Sequence, residues 1–292
     1  MKRYEADGAT LAYEETGEGV PVVFLHPTPL DHDYWRPVVE RLSGVRAIVP
    51  DLRGHGASEL GAGLPMGGFA EAPDAPVLTM ERLGRDVVAL LGHLDLSEAY
   101  FAGCSIGGNV VMELVRRAPE RIKGLAFVCA KAQPDAAANR ARRKANIEQV
   151  MAEGTEKLFD GMAQTLIGAT ARRTRPEIVS ELRARMTISA EAAVAVQAGL
   201  AVRPDSVPDI ARIQVPVLEI AGGEDGGVTA VEMEAFKAAP GGCESHVIAD
   251  SGHFAAYEKP DEVAGMLGAW LARVKGGSAD HTLGHFRVRV QH

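Results

Sequence analysis

Ala102-Gly103-Cys104-Ser105-Ile106-Gly107-Gly108 is the stretch whose reading decides the fold. The apolar Tyr100-Phe101-Ala102 before it has the look of a buried parallel strand. After it, Asn109 to Ala118 carries Val110, Val111, Leu114, Val115 and Ala118 at helical spacing. The spacing therefore predicts strand, sharp turn, helix. A serine at the apex of such a turn takes a strained backbone conformation, and the small neighbours Gly103 and Gly107 relieve the crowding. Gly108 lets the helix start pack closely. The turn lifts the Ser105 hydroxyl above the sheet, beside a helix N-terminus whose N–H groups face any developing negative charge. A glycine-rich turn met by chance is the plain alternative, and the rest of the chain has to decide.

At 292 residues the chain suits one large α/β domain with an insertion, or two small domains. With 46% hydrophobic and 24% charged residues it reads as an ordinary soluble globular protein. A net charge of -8 argues against nucleic acid or an anionic membrane as partner. No apolar run reaches about 18 residues, and Met1-Lys2-Arg3 leads into a strand-like segment rather than a signal core, so a cytoplasmic location is expected. Cys104, Cys129 and Cys243 are odd in number, and the first two lie in apolar runs. Reduced buried thiols are expected, and Cys104 occupies the variable position of its motif.

In chain order, Lys2 to Asp7 and Thr10 to Glu15 flank the turn signal Asp7-Gly8 and predict an edge hairpin. Val20 to Leu25 reads as a central strand ending at His26-Pro27-Thr28-Pro29. A helix is expected over Trp35 to Leu42, a strand over Arg46 to Pro50, and then the glycine-punctuated loop Asp51-Leu52-Arg53-Gly54-His55-Gly56-Ala57-Ser58. Glu59 to Pro76, rich in Gly, Ala and Pro, predicts a long surface loop or a mobile flap. Thr79 is placed to cap a helix running to about His93. Gly124 to Cys129 is a further buried strand, and alternation of strands with helices means a parallel sheet.

That rhythm breaks between about Pro134 and Pro204, where only helical stretches occur: Ala136 to Glu153, Glu156 to Ile167, Pro176 to Met186 and Ala190 to Ala201. The block is longer than a single crossover needs and reads as a helical lid inserted between two strands. Strand signals resume at Val215 to Ile220, followed by the acidic loop through Glu224 and Asp225. A helix over Ala230 to Ala238, a strand over His246 to Ala249, the loop Ser251-Gly252-His253-Phe254 and a closing helix from Pro260 complete the domain. The expected organisation is residues 1–133 and 206–275 as the two parts of the core, 134–205 as the lid, and 276–292 as a tail with a short strand at 286–290 or no structure.

A serine hydroxyl needs a base within reach, and that base needs an orienting carboxylate. In a parallel sheet the loops after the strands' C-terminal ends converge on one edge, and Ser105, Asp225 and His253 all fall on such loops. Their order, Ser, Asp, His, is the one that accompanies this kind of turn. Among the nine histidines, His253 stands out by position, and His26 is expected to brace the loop after its strand. Asp225 is preferred over Glu224 because it stands where the loop has left the strand and precedes two glycines. An oxyanion hole, worth about 3 kcal/mol per donor, also has to be found. One donor is the Ile106 N–H. Pro27 and Pro29 have no N–H, so Thr28 is the expected second donor and Leu30 the fallback.

The chain thus resembles the α/β-hydrolase superfamily over about residues 2–275, most closely its enol-lactonase, haloperoxidase and small esterase branch with a helical lid. The resemblance rests on His26-Pro27 with Trp35 downstream, the Asp51 to Ser58 loop, the Ser105 turn, Arg203-Pro204-Asp205 leading to Val215-Pro216-Val217-Leu218, Gly222 to Asp225, and Gly252-His253. It implies the α/β-hydrolase fold, a mostly parallel twisted sheet with helices on both faces and an inserted lid. Pro27 stands where the family usually has glycine. A serine nucleophile separates the chain from the branches that use aspartate. The expected activity is hydrolysis of a small-molecule carboxylic ester or lactone through an acyl-enzyme at Ser105. No cofactor or metal is expected, and oligomeric state is left open. The lid's composition leads us to expect a mainly apolar pocket for uncharged acyl groups. Carbon–carbon bond hydrolysis, acyl transfer, a peroxide-dependent side activity and a ligand receptor with a vestigial triad remain alternatives.

Overall fold

The computed structural model describes residues 1–276; the strand considered at 286–290 lies outside them. Its centre is one eight-stranded sheet, built from β1 (Lys2–Ala6), β2 (Ala9–Thr16), β3 (Val20–Leu25), β4 (Val45–Pro50), β5 (Ala99–Cys104), β6 (Ile122–Val128), β7 (Val217–Gly222) and β8 (Cys243–Ile248). The order is β1-β2-β4-β3-β5-β6-β7-β8, with β2 antiparallel to both neighbours and every pairing from β4 to β8 parallel.

Period-two alternation in the strands makes two cores. Val22, Phe24, Tyr100 and Ala102 face one side of the sheet, and Val23, Leu25 and Phe101 face the other. The first face is covered by α1 (Arg36–Val39) and, much later, α11 (Pro260–Gly276), through Val38, Val263, Leu267 and Trp270. The second is covered by α2 (Met80–His93) and α3 (Ile106–Arg117), through Leu83, Val87, Val110 and Leu114. Thr79 caps α2, its hydroxyl accepting the Arg82 N–H at 3.2 Å.

Between β6 and β7 come α4 (Ala137–Glu153), α5 (Glu156–Leu166), α6 (Ala169–Thr174), α7 (Glu177–Ala184) and α8 (Ala190–Ala201). They do not behave alike. On α8 every residue from Ala192 to Ala201 is buried, and the Ala195 carbonyl accepts the Leu78 N–H at 3.0 Å. Its surface, alanine-rich and apolar except for Glu191 and Gln197, lets it lie inside the body and contribute to both cores, whereas α4 buries only Ile147 and Val150.

Several expectations need correcting; the helix over Ala230 to Ala238, for one, is the short α9 (Ala230–Met233) followed by a 3₁₀ stretch, Glu234–Ala238. The helix over Trp35 to Leu42 is instead a 3₁₀ turn, His32–Tyr34, then the four-residue α1, because Asp31 caps the tight turn and the later N–H groups of Arg41 and Leu42 reach only three residues back. The loop from Glu59 to Pro76 is no free flap: Phe69 and Ala75 are buried in the core, and Arg82 donates to the carbonyls of Ala62 and Gly63. The strand before Asp225 starts two residues later than expected, at Val217, and the one before His253 starts at Cys243.

Candidate active site

The sheet order reverses at β3, with β4 on one side and β5 on the other, and such a switch point opens a crevice at the strands' C-terminal ends. Leu25 pairs with Gly103 across β3 and β5, so the loop through Thr28 and the turn at Ser105 leave the sheet side by side. Ser105 has φ 53° and ψ -117°. A methyl group on Gly107 would stand 2.2 Å from the Leu25 carbonyl oxygen, and one on Gly103 would stand 2.6 Å from the Gly107 backbone. The glycines are therefore demanded by backbone contact. The N–H groups of Gly108 and Asn109 turn back to the Ser105 carbonyl, and the Ile106 and Gly107 N–H groups head α3, where no earlier turn can accept them.

Gly222 pairs with Ile248 at the ends of β7 and β8, which brings the next two loops together. His253 Nδ1 meets Asp225 Oδ2 at 2.8 Å and Oδ1 at 3.0 Å. Oδ1 also accepts the N–H groups of Gly227 and Val228, so the carboxylate is oriented from both sides. Burial pulls the His253 pKa down, but the charge and hydrogen bond of Asp225 outweigh it and leave the imidazole above its usual value. Glu224, the rival acid, turns away: its oxygens accept the N–H and hydroxyl of Thr170, both at 2.7 Å. Ser105 and His253 line one cavity of about 470 Å³. No hydrogen bond joins Ser105 Oγ to His253 among the described residues.

Thr28, 7% exposed, lines the same cavity. Its hydroxyl lies 2.9 Å from His55 Nε2. His55 Nδ1 faces the Arg53 carbonyl at 3.0 Å and burial lowers its pKa to about 3, so the ring is neutral, Nδ1 donates and Nε2 accepts the Thr28 hydroxyl proton. The Thr28 backbone N–H has no acceptor among the described residues. The fallback, Leu30, already gives its N–H to the Pro27 carbonyl at 3.1 Å. His26, pushed down to about 4 by burial, spans the Pro27 carbonyl and the Leu52 N–H, tying this loop to the Asp51 loop. Cys104 and Cys129 are buried free thiols; burial raises both pKa values, and Cys104 sits against the Tyr34 hydroxyl at 3.1 Å.

Two features were not anticipated. Glu258, on the short α10 (Ala255–Glu258), accepts backbone N–H groups from Gly252, Gly168 and Phe254, while the His253 N–H donates to the Leu166 carbonyl at 2.7 Å. The histidine loop is thus bonded to the turn between α5 and α6. The sequence shows only a glutamate five residues after His253, with nothing local to mark it as buried. The cavity is mixed rather than mainly apolar: Leu158, Met162, Leu166, Leu200 and Val228 line it beside Lys131, Arg142, Arg143, Lys157 and Arg203 and the amides of Asn109, Asn146 and Gln197. The polar faces of α4 and α5 point inward over Ser105, not only out to solvent.

Among the described residues no helix is long and apolar enough to cross a membrane, and no group of side chains has the makings of a metal site. The chain is similar to a thermophilic esterase from Thermogutta terrifontis whose structure has malate bound, at 30% identity and a TM-score of 0.85 over 94% of this chain and 99% of that one. It is similar in fold to the enol-lactonase of Burkholderia xenovorans LB400, at 24% identity and a TM-score of 0.81 over 93% and 100% of the two chains. It is 28% identical over 257 residues to the 2-succinyl-6-hydroxy-2,4-cyclohexadiene-1-carboxylate synthase of Salmonella paratyphi A, covering 85% of this chain and 93% of that one. A shorter match, 33% identical over 129 residues, spans 42% of a protein of Mycobacterium phage D29. The sequence profile of the Alpha/beta hydrolase family matches residues 22–266. That match runs from β3 into α11 and takes in every loop that borders the cavity, and the chain belongs to the alpha/beta hydrolase family.

Proposed function

We propose that the protein is a serine hydrolase of carboxylic esters or lactones. His253 holds its proton on Nδ1, facing Asp225, so Nε2 carries the lone pair that takes the proton of Ser105 as Oγ attacks the carbonyl. The N–H groups of Ile106 and Thr28 stabilise the oxyanion. Imidazolium returns the proton to the leaving alkoxide, and an acyl group remains on Ser105. Water, deprotonated by the same Nε2, then attacks the acyl carbon, and the acid leaves with Ser105 restored. In a lactone the leaving oxygen stays joined to the acyl group through the former ring, and the product departs as a single hydroxy acid. The helices α4 to α7 act as a lid over this chemistry.

The observation that carries this reading is that His253, paired with Asp225, lines the same cavity as the strained Ser105. The test is hydrolysis of p-nitrophenyl esters and simple lactones by wild type and Ser105→Ala, with fluorophosphonate labelling of both. Labelling confined to wild type, with turnover lost in the variant, supports the reading. A correctly folded wild type that neither labels nor turns over sinks it.

A second reading, cleavage or rearrangement at a carbon–carbon bond on the same three residues, draws on the 28% identity to a synthase over 85% of the chain. Turnover of a diketone-like substrate in the absence of ester hydrolysis separates it from the first.

A further inference from the structure

The cavity holds a charge cluster that ester cleavage does not use. Asp135, its side chain 2% exposed, faces two guanidinium groups: Arg203 Nη2 stands 2.8 Å from Oδ1, and Arg143 Nε donates to Oδ2. One carboxylate against two arginines leaves a net charge of one positive unit. The Arg203 side chain is 5% exposed, so little water screens it.

Arg143 is held in place from a second direction, its Nη1 donating to Gln197 Oε1 at 3.1 Å; the same oxygen takes the Asn146 amide. Nε and Nη1 are thereby engaged, and Nη2 has no acceptor among the described residues. Arg143 is half-buried, its side chain 16% exposed, and lines the cavity, so its spare donor is open to an acceptor there. No acidic side chain of the lining other than Asp135 supplies one. Of the other basic residues lining the cavity, Lys131 is paired with Glu232 and Lys157 with Glu153, and Arg142 adds an exposed charge on the same helix as Arg143. In a chain of net charge -8, the cavity gathers five basic side chains and the single acid Asp135.

We infer that the Arg143–Asp135–Arg203 cluster is an anion subsite that seats a carboxylate on the substrate, remote from the carbonyl attacked at Ser105. This rests on the hydrolase reading and names its substrate class: acids esterified or lactonised at one end and free at the other. A carboxylate, rather than a phosphate dianion, matches the cluster's single net charge, and one of its oxygens can accept from Arg143 Nη2. Arg142 raises the local concentration of such anions at the entrance.

The test compares mono-p-nitrophenyl glutarate with p-nitrophenyl valerate, which has the same five-carbon acyl chain and no second carboxylate. Wild type is expected to favour the glutarate ester by roughly tenfold or more in kcat/KM, mostly through KM, and that ratio to collapse towards one in Arg143→Met and recover in part in Arg143→Lys. Equal kcat/KM for the two esters in wild type overturns the subsite. If Arg143→Met does not fold, inhibition of valerate-ester hydrolysis in wild type replaces it. Competitive inhibition by glutarate, with none by 1,5-pentanediol, supports the proposal; no inhibition by glutarate, or tighter inhibition by n-butyl phosphate, overturns it. If neither ester turns over and Ser105 does not label, the hydrolase reading has failed by itself. Calorimetric titration of wild type with glutarate still reads the cluster: saturable binding weakened by Arg143→Lys upholds it, and no binding rejects it.

Discussion

The Glu258 carboxylate accepts the backbone N–H of Gly252 at 2.8 Å, one residue before the candidate base His253. The same carboxylate takes the N–H groups of Gly168 at 3.1 Å and Phe254 at 3.2 Å, so it joins the histidine loop to the helices above the cavity. Glu258→Gln replaces one accepting oxygen with a donor that faces an N–H. The expected outcome is a loss of about 1–3 kcal/mol in urea unfolding, with kcat reduced more than KM rises, because the imidazole and not the substrate contact is displaced. An unchanged kcat with lowered stability would leave Glu258 a purely structural residue.

The activity of the enzyme should rise with pH across the His253 titration. Burial lowers that pKa and Asp225 more than restores it, so the folded value lies above the ordinary 6.5. The acid limb of kcat/KM is therefore expected above pH 6.5. Stability runs the other way: protonated His253 gains from Asp225, and this contribution is complete below the unfolded pKa and disappears as pH rises through the folded one. Asp225→Asn is expected to move the acid limb down, flatten this slope and cut kcat roughly ten-thousand-fold by favouring the wrong tautomer. A pH–rate profile together with thermal unfolding at several pH values reads all three effects.

Ser105 is the residue whose backbone conformation and proposed chemistry conflict. With φ 53° it sits where a side chain is disfavoured. Ser105→Gly is expected to raise unfolding free energy by about 1 kcal/mol while abolishing turnover. A stability equal to or below wild type in urea titration would mean that the turn is held without strain.

Gly107→Ala should have the opposite effect on stability. Its methyl group would meet the Leu25 carbonyl at 2.2 Å, backbone against backbone, and we expect several kcal/mol of destabilisation or no soluble protein. Gly265→Ala in α11 is the control. Nothing lies within 4 Å of its added methyl, so a gain of about 0.5–1 kcal/mol is expected from helix propensity alone.

The elements legible in the sequence were those specified by neighbours along the chain. The Ser105 turn, the Thr79 cap and the central strand Val20 to Leu25 follow from backbone sterics and a continuous apolar run, which act over a few residues. The hairpin at Asp7-Gly8 was readable for the same reason. Helix α8 was less so: its alanines predict a helix but not that it lies inside the body with Ala195 bonded to Leu78. Strand starts near Pro216 and His246 slipped because pairing partners, not local pattern, set where a strand begins.

By itself, then, the sequence determined the order of strands and helices, the strained serine turn, and the Ser, Asp, His order of candidate residues, since each is a property of local geometry repeated along one chain. Only the tertiary structure decided which acid faces His253 and which faces Thr170, and that the Leu30 N–H is already occupied while the one on Thr28 has no acceptor among the described residues. Only it decided that Asp135, Arg143 and Arg203 meet in the cavity. Periodicity says which side chains share a helix face. What that face meets depends on packing between segments up to 68 positions apart, and no local rule carries that distance.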